Sequence, residues 1–134
     1  GIAVDTPNGL VVPVVRDVGK KSLIELAEEL KETSERAREG LLKPEDMRNA
    51  GFTISSLGGI GGTQFTPIIN SPEVAILGVS RTQIKPIWNG ESFEPTAILP
   101  LALSYDHRVI DGAEAARFMA DLNQVLRNIT EMLL

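Results

Sequence analysis

Leu103-Ser104-Tyr105-Asp106-His107-Arg108-Val109-Ile110-Asp111-Gly112 contains the transition that decides the fold. An apolar, strand-like run ends in a dense polar group, and the chain then turns through Gly112 into residues of helical spacing. Ala115, Phe118, Met119, Leu122, Val125, Leu126, Ile129 and Leu133 recur as one apolar stripe, with Arg117, Asp121, Gln124 and Asn128 on the opposite face. A helix is expected from about Ala113, with Asp111 as its N-cap and Glu114 at the third helical position. Strand followed directly by helix is a building unit of mixed α/β layers.

Upstream, Val74–Ile87 and Phe93–Tyr105 read as two long strands around Asn89-Gly90, a strong hairpin signal. Pro86, Pro95 and Pro100 within them imply bulges or an edge position, because proline cannot donate to a ladder. Phe52-Thr53-Ile54-Ser55 alternates as a strand does and runs into Gly58-Gly59-Ile60-Gly61-Gly62, too glycine-rich for regular structure. Pro44-Glu45-Asp46 suits one helical turn. Ser22 and Glu25 form a capping box, Gly40 a stop, and Leu23, Leu26, Ala27, Leu30, Ala37 and Leu41 the apolar stripe of a helix between them. Ile2–Val4 and Leu10–Val15 flank the turn Asp5-Thr6-Pro7-Asn8-Gly9 as two strands. The expected architecture is a two-layer α/β sandwich, helices against a mixed, largely antiparallel sheet.

Composition narrows the chemistry. A chain of 134 residues, 43% hydrophobic and 23% charged, fits one globular domain. Its net charge of −5 argues against nucleic acid as a partner, since counterion release needs a basic face. No cysteine is present, which removes disulfides, thiolate metal sites and a cysteine nucleophile. A single histidine, His107, excludes a multi-histidine metal site, and no metal is expected. No apolar run reaches the length of a membrane span. Gly1-Ile2-Ala3-Val4 has no signal-peptide character; it reads as the continuation of a longer chain, and cytoplasm is the expected location.

Two motifs fail on inspection. The glycine cluster lacks a following Gly-Lys-Ser/Thr, and Gln64 stands where a third dinucleotide-binding glycine would be; it reads as a turn that lets backbone approach backbone. Asn128-Ile129-Thr130 matches a glycosylation acceptor only by composition, since it falls in the last helix. That leaves His107, an imidazole at the end of a strand, where a rigid support presents it. Two readings stand on the residues alone. Either His107 is a satisfied, half-buried side chain beside an Arg108–Asp106 pair, or it takes and returns a proton near neutral pH. Asp111 caps the helix under both.

Asp106-His107-Arg108-Val109-Ile110-Asp111-Gly112 resembles the signature of the dihydrolipoamide acyltransferases, the E2 cores of 2-oxo acid dehydrogenase complexes; chloramphenicol acetyltransferase has a similar histidine motif. The likeness extends through Ala3–Pro13, Phe52–Gly58 and Pro72–Val79, while Thr66–Asn70 and Trp88–Gly90 look most like the bacterial pyruvate dehydrogenase branch. The resemblance implies a chloramphenicol acetyltransferase-like fold and a chain, 1–134, forming the C-terminal part of one longer catalytic domain. It implies transfer of an acetyl group between dihydrolipoamide and coenzyme A, with succinyl and branched-chain transfer, or a non-catalytic scaffold, as alternatives. His107 then corresponds to the general base, Ser55 to the oxyanion donor, and Asp111 to a position that orders the loop. Asp5, Ser56, Ser80 and Thr82 fall where family members contact coenzyme A. Also implied are a homotrimer in which His107 and Ser55 meet across an interface, a larger cubic or icosahedral core, E1 and E3 partners, and lipoate carried on a separate lipoyl domain.

Overall fold

The structure is a computed structural model describing residues 1–128. The expectations placed on Ile129, Thr130 and Leu133 lie outside the described residues. Strands β1 (Val4–Thr6) and β2 (Gly9–Val11) form an antiparallel hairpin. Gly9 closes it at φ +110°, a conformation open to glycine, while Thr6 Oγ1 donates to the Gly9 carbonyl at 2.6 Å. The second strand ends at Val11, short of the Val15 expected from sequence. The Val14 N–H donates instead to Asp46 O at 2.8 Å, which draws the chain off the ribbon beyond Pro13.

Helix α1 (Leu23–Arg38) begins as its sequence dictates. The Ser22 N–H donates to Glu25 Oε2 at 2.7 Å and the Glu25 N–H returns a bond to Ser22 Oγ at 3.3 Å. Gly40 at φ +72° ends it, with the Leu41 N–H donating to Arg36 O at 2.9 Å. The helix lies against β1, a ribbon too small to cover the whole stripe. Ala37 is buried and Leu26 and Leu30 are half-buried, but Leu23, Ala27 and Leu41 stay exposed. One 3₁₀ turn, Pro44–Met47, follows where it was expected.

The core is organised on β3 (Thr53–Ser56) and β4 (Ala75–Val79), which run parallel, with Ser55 opposite Gly78. The two long strands of the sequence reading are each divided. β4 gives way at Ser80-Arg81-Thr82 to β5 (Gln83–Trp88), and β6 (Phe93–Ile98) gives way at Leu99-Pro100 to β7 (Leu101–Tyr105). Pro100 contributes no N–H, and its carbonyl accepts from the Ser80 N–H at 3.1 Å where the ladder changes direction. β7 pairs antiparallel with the other edge of β4. β5 and β6 form a separate two-stranded ribbon, closed by a four-residue loop in which Asn89 Oδ1 accepts the Glu91 and Ser92 N–H groups at 2.9 Å each. Pro86 faces Pro95 in this ribbon, at a non-hydrogen-bonded pair counted from the Asn89 N–H to Ser92 O bond, so neither proline breaks the ladder. Ile2 bridges Ile54 in parallel, which joins the lead of β1 to the outer edge of β3. The pairings are mixed and mostly antiparallel, as expected.

Helix α2 (Gly112–Arg127) packs on β7, burying Ala115; the Phe118 and Phe52 ring centroids are 6.1 Å apart. Much of its stripe, Phe118, Val125 and Leu126 included, remains exposed. So does one whole face of the β5–β6 ribbon, where Ile84, Trp88 and Phe93 are 69%, 55% and 68% exposed. The accessible surface is 9640 Å², against roughly 6900 Å² for a compact monomer of 14.5 kDa. The described residues thus leave several apolar faces uncovered.

Thr53 is the most deeply buried polar residue, 1% exposed, and its hydroxyl donates to Glu73 Oε2 at 2.6 Å, tying the start of β3 to the approach to β4. Thr53→Val keeps the shape and removes the donor. It should lower unfolding stability by about 2 kcal/mol, the range for a bond to a charged group. A chemical-denaturation midpoint identical to wild type would refute that.

Candidate active site

His107 stands two residues beyond β7 on a turn anchored at Asp106, whose N–H donates to Val74 O at 2.8 Å and whose carbonyl accepts from Val109 and Ile110 at 3.0 Å each. The imidazole is exposed, 5.5 Å from the Tyr105 ring centroid to centroid. A Cβ placed on Gly112 would lie 3.9 Å from His107 Nε2 and 3.8 Å from the Tyr105 hydroxyl, so both rings lean over the first turn of α2. Asp111 Oδ1 accepts the Glu114 N–H at 2.8 Å, the cap expected from sequence. The Arg108–Asp106 pair also forms: the guanidinium donates to the carboxylate at 2.6, 2.9 and 3.2 Å, and the Arg108 N–H adds a fourth bond at 3.0 Å. The Arg108 side-chain bonds, then the backbone bond, hold the Asp106 carboxyl down at about 2, and the same contact raises Arg108.

Ser55 is half-buried on β3 and faces a cavity of about 430 Å³ lined by Val12, Thr53, Phe65, Pro67, Ile69 and Ile76, among others. Its hydroxyl makes no hydrogen bond among the described residues and is free to donate. The sheet does not bring it to His107. Ser55 is in register with Gly78 and Gly78 with Ala102, and His107 lies five residues further on. At strand spacings this separates the two by on the order of 15–20 Å. Within one chain they cannot act on a single reacting atom.

The sequence of the 2-oxoacid dehydrogenases acyltransferase (catalytic domain) family matches residues 1–134. The chain belongs to that acyltransferase family. It is 59% identical over its whole length to the dihydrolipoyllysine-residue acetyltransferase component of the Haemophilus influenzae pyruvate dehydrogenase complex, and 57% identical to that of Cupriavidus necator, spanning 24% of each relative. Among solved structures it superposes on Azotobacter vinelandii dihydrolipoamide acetyltransferase with a TM-score of 0.96 at 57% identity, covering all of this chain and 55% of that one. A cubic core of the pyruvate dehydrogenase multienzyme complex gives 0.95 at 58% identity, with the same coverage. The chain thus spans about a quarter of the curated relatives and about half of the solved chains.

On this acyltransferase scaffold the expected coenzyme A positions fall at one end of the sheet. The Ile2–Ile54 bridge sets Val4 level with Ser56, and Ser56 pairs with Val79, so Asp5, Ser56 and Ser80 follow one another across the carboxyl ends of parallel strands. Asp5 and Ser56 share a groove of about 340 Å³ with Ser34 and Arg38 of α1. Ser80 is buried, its carbonyl close against Gly58, and Thr82 is exposed beyond it. This backbone approach is the use expected of the glycine cluster. Arg38 and Ser34 were not singled out in the sequence; their four-residue spacing, adjacent to buried Ala37, was the available signal. Nor was Phe65, which has no local pattern.

Asp106 yields a direct test. Its carboxyl should titrate near pH 2 by NMR and return to the ordinary aspartate range in Arg108→Ala. Because its folded value is depressed, the pair supports the folded turn above about pH 4 and is lost as pH falls toward 2. A carboxyl unmoved by Arg108→Ala would mean that the ion pair does not persist in solution.

Proposed function

We propose that this chain forms part of a dihydrolipoamide acetyltransferase core that moves an acetyl group reversibly between dihydrolipoamide and coenzyme A. The observation that carries the reading is a free serine hydroxyl on β3 in an apolar cavity and an exposed lone imidazole on the hydrogen-bonded turn that follows β7. In the related Azotobacter vinelandii enzyme, crystallographic and enzymatic work concerns a serine, a histidine and an asparagine of the catalytic mechanism. Ser55, His107 and Asp111 stand in that order and at the same spacings, with aspartate in place of the asparagine.

The chemistry follows from these groups. His107 removes the proton from the attacking thiol, and the thiolate adds to the thioester carbon. Negative charge builds on the carbonyl oxygen, to which the Ser55 hydroxyl donates. The carbonyl re-forms, the original carbon–sulfur bond breaks, and the protonated imidazole returns its proton to the departing thiolate. Asp111, bound to the Glu114 N–H, is a positioning residue for the turn that carries His107. Asp5, Ser56, Ser80 and Thr82 form the coenzyme A end. The separation of Ser55 from His107 and the excess apolar surface support a homotrimer whose sites are shared between neighbouring subunits, with trimers building a larger cubic or icosahedral core. Lipoate would arrive on a separate lipoyl domain, between E1 and E3 partners.

Two substitutions test the roles in the full-length protein. His107→Ala should reduce acetyl transfer by several orders of magnitude, there being no second histidine to replace it. Ser55→Ala should cost roughly 10²–10³ in kcat, with the coenzyme A KM much less changed; the opposite pattern would make Ser55 a ground-state binding residue. A third measurement addresses sharing. Co-assembling the two inactive variants in equal amounts should restore about a quarter of the sites, because each intact site draws one residue from each of two subunits. No recovery in mixed assemblies would place both residues of each site on one chain and defeat the shared-site reading.

A further inference from the structure

Ser55 has an unusual neighbour. In the parallel register the residue beside it on β4 is Gly78, so the sheet presents no side chain at the position adjoining the hydroxyl. Neighbours across a ladder point to the same face, and another segment of the chain occupies that gap. A Cβ built on Gly78 would lie 2.9 Å from Phe65 Cζ and 3.1 Å from Cγ and Cδ of Pro67, distances that leave no room for it. The ring edge of Phe65 and the ring of Pro67 therefore rest on the bare backbone next to Ser55. Both line the cavity that Ser55 faces; Pro67 is buried and Phe65 half-buried.

Resting on the acyl-transfer reading above, we infer that Phe65 is a specificity-determining residue, the wall that limits the acyl group to a short one, and that Gly78 is the positioning residue that lets it stand there. The oxyanion and the acyl substituent are attached to the same carbon. When Ser55 holds the oxyanion, the substituent begins two covalent bonds beyond the held oxygen, close to the groups packed around that hydroxyl. On the β4 side the bulky groups are the rings of Phe65 and Pro67, of which Phe65 is the larger and the less buried. A methyl substituent fits beside the ring, whereas a branched chain competes with it for the same volume.

The test uses the full-length protein and two acyl donors, acetyl-CoA and isobutyryl-CoA. Phe65→Ala should raise kcat/KM for isobutyryl relative to acetyl transfer by roughly 10- to 100-fold, the scale on which apolar pockets discriminate by a methylene or two. Phe65→Leu removes less of the wall and should move the ratio in the same direction by less; it serves the same measurement if the alanine variant fails to fold. Gly78→Ala should depress acetyl transfer by displacing the ring, and adding Phe65→Ala should recover part of that loss. An unchanged isobutyryl-to-acetyl ratio in soluble Phe65 variants that still transfer acetyl groups overturns the inference. A wild-type protein that transfers neither group overturns instead the acyl-transfer reading beneath it.

Discussion

From Ala75 to Gly78 strand β4 is buried on both faces while its backbone bonds are shared with β3 on one edge and β7 on the other, and this double pairing sets where every candidate site residue stands. One neighbour is parallel and one antiparallel. The carboxyl end of β3, with Ser55 and Ser56, therefore lies at one end of the sheet, and the carboxyl end of β7, leading to His107, lies at the other. The separation of His107 from Ser55 within one chain follows from strand direction. Reversing either neighbour would bring the two side chains to the same end of the sheet.

The same arrangement explains how much apolar surface is left over. Strands β1, β3, β4 and β7 and the two helices enclose a small core: Val4, Ala37, Ala75, Ile76, Leu77 and Ala115 are its buried hydrophobic members among the described residues. Both helices carry apolar stripes wider than the strands they cover. The β5–β6 ribbon puts Ile84, Pro86, Trp88, Phe93, Pro95 and Ala97 on one face that the described residues leave exposed. A stripe in sequence states that a face is to be buried; it does not state by which polypeptide. Here a large share of those stripes is left exposed by the described residues.

Local features were legible in the sequence because their partners lie two to five residues away. Ser22 with Glu25, Asp111 with Glu114, the stop at Gly40 and the turns at Gly9 and Asn89 each formed as their residues require. The Asp106–Arg108 pair was legible for the same reason. The division of the two long strands was not, because an apolar run carries no mark where it leaves one sheet for another; only the Ser80 N–H to Pro100 O bond, between segments far apart in sequence, marks that place.

By itself, then, the sequence determined the caps, the turns, the alternation of strands and helices and the presence of one imidazole, all of them consequences of local backbone chemistry and side-chain type; Ser55 was marked only by the family resemblance. Tertiary structure decided the rest. The parallel register of β3 on β4 set Ser55 beside a glycine, the fold-back of Phe65 and Pro67 filled the gap, and the antiparallel pairing of β7 carried His107 to the far end. Register is settled by packing between segments distant along the chain, where a shift of one residue turns every side chain to the other face; no window of neighbouring residues contains that information.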